Sequence, residues 1–199
     1  IQNNLVKLIV NSSTGEISHW SFDGELITNR ALQPNLWRPP TDNDLGNGMD
    51  IWAKNWQNAT YNYKANLIEL PRTVKNGVSY KVGYTLPNNE AEVVVIYTLK
   101  NNGTLQFEYT FNPLKEGLSN IPRIGMYITL PMTFTDVSWY GKGPKESYWD
   151  RKTGQKIGLY SGKIKEQFHV YSRPQETGNN TEVRWMELTS EAASLTVSS

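Results

Sequence analysis

The chain has 199 residues, 20 Lys and Arg against 19 Asp and Glu, and a formal net charge of +1. That balance argues against a nucleic-acid binder, which carries a clear basic excess, and no apolar run reaches the roughly 18 residues of a membrane helix. The absence of cysteine removes disulfide scaffolds, thiolate zinc sites and cysteine nucleophiles together, while 7 Trp, 11 Tyr and 5 Phe exceed what a core of this size needs. Ten Pro, fifteen Gly and many Asn then break the sequence into short segments.

In chain order, Val6 to Val10 and Ile17 to Phe22 read as strands. Met49, Trp52 and Trp56 follow 3,4 spacing and predict about two helical turns over 49–57. Val78, Tyr80, Val82 and Tyr84 alternate with polar residues, which is the period of a half-buried strand. The run Val93–Leu99 is followed by Asn101-Asn102-Gly103 and then by alternating Leu105, Phe107, Tyr109 and Phe111. Asn-Gly supplies the positive φ values of a tight hairpin turn, so the two runs should pair. Ile124 to Leu130 and Val183 to Leu188 complete the expected strands. Many short strands joined by turn clusters predict an antiparallel sandwich, read as a single domain over residues 1–199. The chain opens on Ile1 and stops inside the strand-like run 194–199, as expected of a piece excised from a longer polypeptide.

Three segments are too polar and too aromatic for plain turns. In the first, Pro34 to Gly46, Arg38 precedes Asp42-Asn43-Asp44, three oxygen-bearing side chains in a row. They could hold a hard cation, bond neighbouring sugar hydroxyls, or form an Asx-turn network capping a helix. The second, Trp139 to Arg151, packs Tyr140, Glu146, Tyr148, Trp149, Asp150 and Arg151 between glycines. Aromatic faces there suit the C–H face of a pyranose, or cap the sandwich. The third, His169 to Thr181, carries Arg173, Gln175, Glu176 and Asn179 ahead of Val183-Arg184-Trp185. The catalytic inventory is thin. His19 lies on the polar face of its strand, and His169 is the other histidine. There is no Gly-x-Ser-x-Gly elbow, phosphate loop or His-Glu-x-x-His helix.

Pro34-Asn-Leu-Trp-Arg-Pro-Pro-Thr-Asp-Asn-Asp-Leu-Gly46 resembles the run that opens the C-terminal β domain of large bacterial-type β-galactosidases of glycoside hydrolase family 2. Pro122-Arg-Ile-Gly125 is similar to a strand of that domain. Tyr140-Gly-x-Gly-Pro-x-Glu-x-Tyr148-x-Asp-Arg151 and Pro174-Gln-Glu-x-Gly-Asn179 resemble two further motifs, all in family order. The resemblance implies an antiparallel β-supersandwich of the galactose mutarotase-like type, truncated at its C-terminus. It implies no catalytic residue and no metal site in this piece, because the family's acid/base and nucleophile glutamates stand on a (β/α)8 barrel. The expected partners are that barrel, a β-galactoside or galactose in the whole enzyme's pocket, and further copies of the same enzyme, with Mg and Na ions serving the whole. Neither nucleic acid nor membrane is expected. Arg38, Asp42, Asn43, Asp44, Tyr140, Glu146, Tyr148, Asp150, Arg151, Arg173, Gln175, Glu176 and Asn179 then become candidates for lining the sugar site's rim or bracing the barrel interface. The alternatives are a free-standing carbohydrate-binding module using Trp139 or Trp149, or a mutarotase- or epimerase-type enzyme using His169.

Overall fold

The computed structural model describes residues 1–30 and 32–199. Among the described residues thirteen strands form four sheets, and every strand pair is antiparallel. The chain divides into two compact units, Ile1–Arg38 with Asp44–Thr129, and Pro39–Asn43 with Leu130–Ser199.

In the first unit, β1 (Val6–Val10), β2 (Ile17–Phe22) and β3 (Glu25–Thr28) form one sheet. A short pair joins β4 (Gln33–Asn35) to β9 (Gly125–Tyr127). The large sheet runs β5 (Lys64–Val74), β6 (Gly77–Thr85), β7 (Ala91–Lys100) and β8 (Leu105–Pro113) in sequence order. Its centre follows the period-2 rule closely. Val93, Val95, Tyr97 and Leu99 point inward from β7, and register with Tyr84, Val82, Tyr80 and Val78 on β6. All of these side chains except Val78 share one buried cluster with Val6, Leu8 and Ile17 of the three-stranded sheet, which makes this unit a two-layer sandwich. Each such side chain stabilises by about 1.5–3 kcal/mol on burial.

Tyrosine takes an unusual share of that core. The Tyr80 and Tyr97 rings stack with centroids 5.1 Å apart, and the hydroxyls of Tyr84 and Tyr97 hydrogen-bond at 3.1 Å. The Tyr63 hydroxyl donates to Glu16 at 3.1 Å. Burial, first of all, pushes the Tyr63, Tyr80, Tyr84 and Tyr97 phenols far above their usual range, and raises Tyr109 to about 12.

The helical expectation over 49–57 is met in two pieces and extended. Besides α1 (Asp42–Gly46), α2 (Met49–Trp52) gives way at Ala53 to α3 (Lys54–Asn62). Met49, Ala53, Trp56 and Ala59 form a buried stripe against Leu36, Leu86 and Ala91. Trp56 is fully enclosed, donates its indole N–H to the Ser119 carbonyl at 3.2 Å, and meets Phe111 edge-on.

The second unit holds β10 (Asp136–Gly143), β11 (Lys156–Lys163), β12 (Trp185–Thr189) and β13 (Ser194–Ser198), ordered β11-β10-β12-β13. Phe134, Val137, Trp139, Tyr148 and Leu195 are its buried apolar residues, whereas Ile157, Leu159 and Val197 are exposed. Trp139 is enclosed and donates its indole N–H to the Lys142 carbonyl at 2.9 Å. Pairing between β7 and β8 bears out the hairpin, with Gly103 at φ 88° in its turn. The strand expected over 124–130 is cut to three residues, paired with the three residues of β4.

Candidate functional site

The three polar segments become two sets of locked contacts, each set inside one unit. In the first unit, Arg38 grips Asp44 bidentately, at 2.5 Å and 3.0 Å, with both side chains mostly buried. A planar guanidinium meeting a carboxylate this way fixes the loop in one geometry. The approach to it is fixed too. Leu36 N–H donates to the Thr60 hydroxyl at 3.0 Å, and Trp37 N–H to the Asn35 side chain at 3.2 Å.

The neighbours of Asp44 turn elsewhere. In the second unit, Asp42 and Gln175 bond reciprocally: the Asp42 N–H reaches the Gln175 carbonyl, and the Gln175 amide reaches the Asp42 carboxylate, both at 3.3 Å. The Asn43 amide donates to Asp150 at 2.6 Å. Asp42 and Asn43 are thus each engaged by a side chain of their own unit. Among the described residues no group of three or more His, Cys, Asp or Glu is arranged to hold a metal ion.

Glu146 is the hub of the second unit. One carboxylate oxygen accepts the Gly178 N–H at 2.7 Å. The other accepts from Arg151 at 2.7 Å and from the Tyr171 hydroxyl. Arg151 also donates to the Tyr171 hydroxyl at 2.8 Å and lies over the Tyr148 ring, 4.6 Å from its centroid. Partial burial raises the Glu146 pKa, but donation from Tyr171 and Gly178, the Arg151 charge and a bond from Thr177 outweigh it and hold it below the usual range. Tyr148 moves the other way. Burial first, then the charges of Glu146 and Glu176, push its phenol up to about 12.

A second lacing runs beside this hub. Ser147 N–H donates to the Asn179 carbonyl and the Asn179 amide returns to the Ser147 carbonyl, each at 2.7 Å. The Ser147 and Thr181 hydroxyls bond at 2.8 Å, and the Thr181 N–H donates to Ser147 Oγ at 2.9 Å. Glu146, Tyr148, Asp150, Arg151, Gln175 and Asn179 thus share a cross-braced region with Asp42 and Asn43, and Glu176 is buried within its segment. Arg173 is exposed and takes no part in these bonds. Tyr140 stands apart on β10, paired with Leu159 and Trp185, with Arg184 over its ring. Tyr171, Gly178, Ser147 and Thr181 are the bonding partners that sequence reading did not single out. A hydroxyl or a backbone N–H gives no signal until a carboxylate is placed beside it.

One expectation about the aromatics needs correction. Trp139 is buried, 1% exposed, so its loop does not present it to a ligand, whereas Trp149 is exposed, at 85%. His169 packs its ring edge-on against Tyr171, centroids 4.4 Å apart, and its backbone N–H donates to Thr177 at 2.8 Å. A Glu146 carboxylate held by these donors, its pKa below the usual range, is a poor proton donor at neutral pH.

Fold and site together define an antiparallel β domain whose polar loops are locked into one another by ion pairs and amide–backbone bonds. The model of the family described as beta galactosidase small chain matches residues 2–199, and the chain belongs to that family. It is similar to the β-galactosidase of Priestia megaterium, with 37% identity over 183 residues, 92% of this chain and 18% of the relative. It is 33% identical over 197 residues to that of Lactobacillus delbrueckii subsp. bulgaricus, covering 98% of this chain and 19% of the relative. Against the β-galactosidase of Kluyveromyces lactis the identity is 29% over 214 residues, with 97% and 19% covered. The chain spans about a fifth of the length of these relatives.

Proposed function

We propose that this chain is the C-terminal β domain of a β-galactosidase, without hydrolytic activity of its own. One observation carries the reading: the small-chain family spans the chain from residue 2 to 199, yet the chain covers only 18–19% of the β-galactosidases it resembles. The two glutamates of a retaining mechanism belong to a barrel elsewhere in the whole enzyme, as do any Mg and Na ions. This domain shapes the galactosyl site's surroundings and supports assembly of the oligomer, with its braced loops holding a fixed wall. A fixed wall serves catalysis through positioning, where misplacement by about 1 Å can cost on the order of 100-fold in rate.

The exposed Ile157 and Leu159, which share one face of the β11-β10-β12-β13 sheet with exposed Tyr140, support a supersandwich completed by further strands of the whole enzyme, since a sheet buries its apolar face against a second layer. The test is reconstitution. This chain alone should leave a nitrophenyl β-galactoside intact, and the remainder of the enzyme alone should be weakly active. Mixing the two should restore turnover. Robust hydrolysis by this chain alone would overturn the reading.

A further inference from the structure

The turn at Tyr148–Arg151 is closed by the Arg151 N–H donating to the Tyr148 carbonyl at 3.1 Å. Trp149 and Asp150 occupy its tip. Both ends are anchored: Tyr148 is buried, and Arg151 is tied to Glu146 at 2.7 Å. The tip nevertheless leaves Trp149 85% exposed, in a chain that encloses Trp56 and Trp139 almost completely. An indole held in water on a pinned turn is a ring already ordered for a partner, so binding forfeits little conformational entropy.

The surroundings say which partner. The Lys152 ammonium sits 3.9 Å from the indole centroid, and a salt bridge to Glu182 at 3.4 Å holds it there. One face of the ring is thus taken by a fixed cation, and the high exposure of the residue belongs to the other. Beside the ring, the Asn43 amide engages one oxygen of Asp150 at 2.6 Å. Asp150 Oδ1 and the Asn43 carbonyl keep acceptor capacity, and both residues are exposed. A flat apolar face edged by a carboxylate and an amide matches a neutral pyranose, which offers C–H groups on one face and vicinal hydroxyls at its rim. A galactoside suits it well, because the axial 4-hydroxyl gathers H3, H4 and H5 on a single face.

We propose that Trp149, with Asp150 and Asn43, forms a saccharide-binding platform on this domain, selective for the apolar face of a β-galactoside. The platform is a site of binding without chemistry, and its affinity, resting on one ring and few hydrogen bonds, is millimolar. It fits the proposed galactosidase reading but is tested apart from it, by binding to this chain rather than by hydrolysis in a reconstituted enzyme.

The experiment is saturation-transfer NMR with the 199-residue chain and methyl β-D-galactopyranoside. Transfer should concentrate on H3, H4 and H5, saturate at millimolar sugar, vanish in Trp149→Ala and survive in part in Trp149→Phe. Because Trp149 contributes nothing to the core, the variants keep the parent's circular dichroism. Equal transfer in Trp149→Ala would overturn the proposal. So would an indole already shielded from iodide quenching in the whole sugar-free enzyme, since protein and not saccharide would then cover the ring.

Discussion

Replacing Glu146 by Gln removes a charge while keeping the side chain's shape, and so isolates what the carboxylate hub contributes. The wild-type group accepts from the Gly178 N–H, Arg151 and the Tyr171 hydroxyl. A hydrogen bond to a charged group contributes about 1.5–3 kcal/mol and a neutral one about 0.5–1.5 kcal/mol, so the Gly178 and Tyr171 bonds each lose about 1 kcal/mol. The Arg151 pair is discounted to about 0.5 kcal/mol, because the Arg151 side chain is 44% exposed and solvent screens it. The sum is about 2–3 kcal/mol, which in a chain of this length lowers Tm by roughly 4–12 °C. The pH dependence has a definite sign. Glu146 has a depressed pKa in the folded state, so its contribution is present above the unfolded carboxyl pKa of about 4.3 and is lost as pH falls through the folded value. Thermal unfolding followed by circular dichroism, run at neutral pH and in acid, reads both effects. The Gln variant should melt lower at neutral pH and converge on the wild type in acid. A neutral-pH difference below about 0.5 kcal/mol, the scale of an unremarkable surface substitution, would refute the hub.

Two other outcomes follow from the same structure. Arg38→Lys trades a two-pronged contact for a point charge, and because both side chains of the pair are mostly buried it should cost about 1–2 kcal/mol; a double-mutant cycle with Asp44→Asn checks that the loss belongs to this pair. Tyr63, Tyr80, Tyr84, Tyr97 and Tyr109 have raised folded-state values, so the stability they confer is full below about pH 10 and falls as pH rises through the folded values. Their tyrosinate absorbance should therefore appear together with loss of the β-sheet signal in alkaline titration, and early ionisation within a folded chain would contradict the buried cluster.

How much of this was legible in the sequence depended on whether the signal was local. The strands β1 and β2, and the β7–β8 hairpin, rest on alternation and an Asn-Gly turn, which act within a few residues. β5, by contrast, spans 11 residues that are mostly exposed or half-exposed and carry Pro71, so no period announces it. It is a strand because β6 pairs along it, with two register irregularities. Asp136–Gly143 and Lys156–Lys163 were likewise hidden by glycines that alternation reads as loop, yet Gly141 lies where a Cβ would stand 2.7 Å from Val183 Cα. The motif order located the braced loops, but not their partners. Glu146 and Gly178 are 32 residues apart and Asp42 and Gln175 are 133 apart, and only the fold brings such pairs within bonding distance.

The pairing pattern also separates wall from catalyst. A general acid or base needs a proton it can exchange near neutral pH and lone pairs turned toward a substrate. Glu146 has neither: its oxygens are taken by Gly178, Arg151 and Tyr171, and its carboxyl is held on the acid side of its usual range. Asp44 is clamped in both prongs of Arg38, and Asp42 is engaged by Gln175. What these groups yield instead is rigidity, since each carboxylate fixes a loop at two or more points and so removes the freedom that a binding surface would otherwise lose on meeting its ligand. Trp149 completes that logic, because at 85% it is more exposed than Tyr61, Phe168, Tyr140, Phe107, Trp52 or Phe22, and it stands on a turn anchored at both ends. Rigidity at the base of the Tyr148–Arg151 turn is what lets the exposed Trp149 indole act as a surface rather than as a flexible side chain.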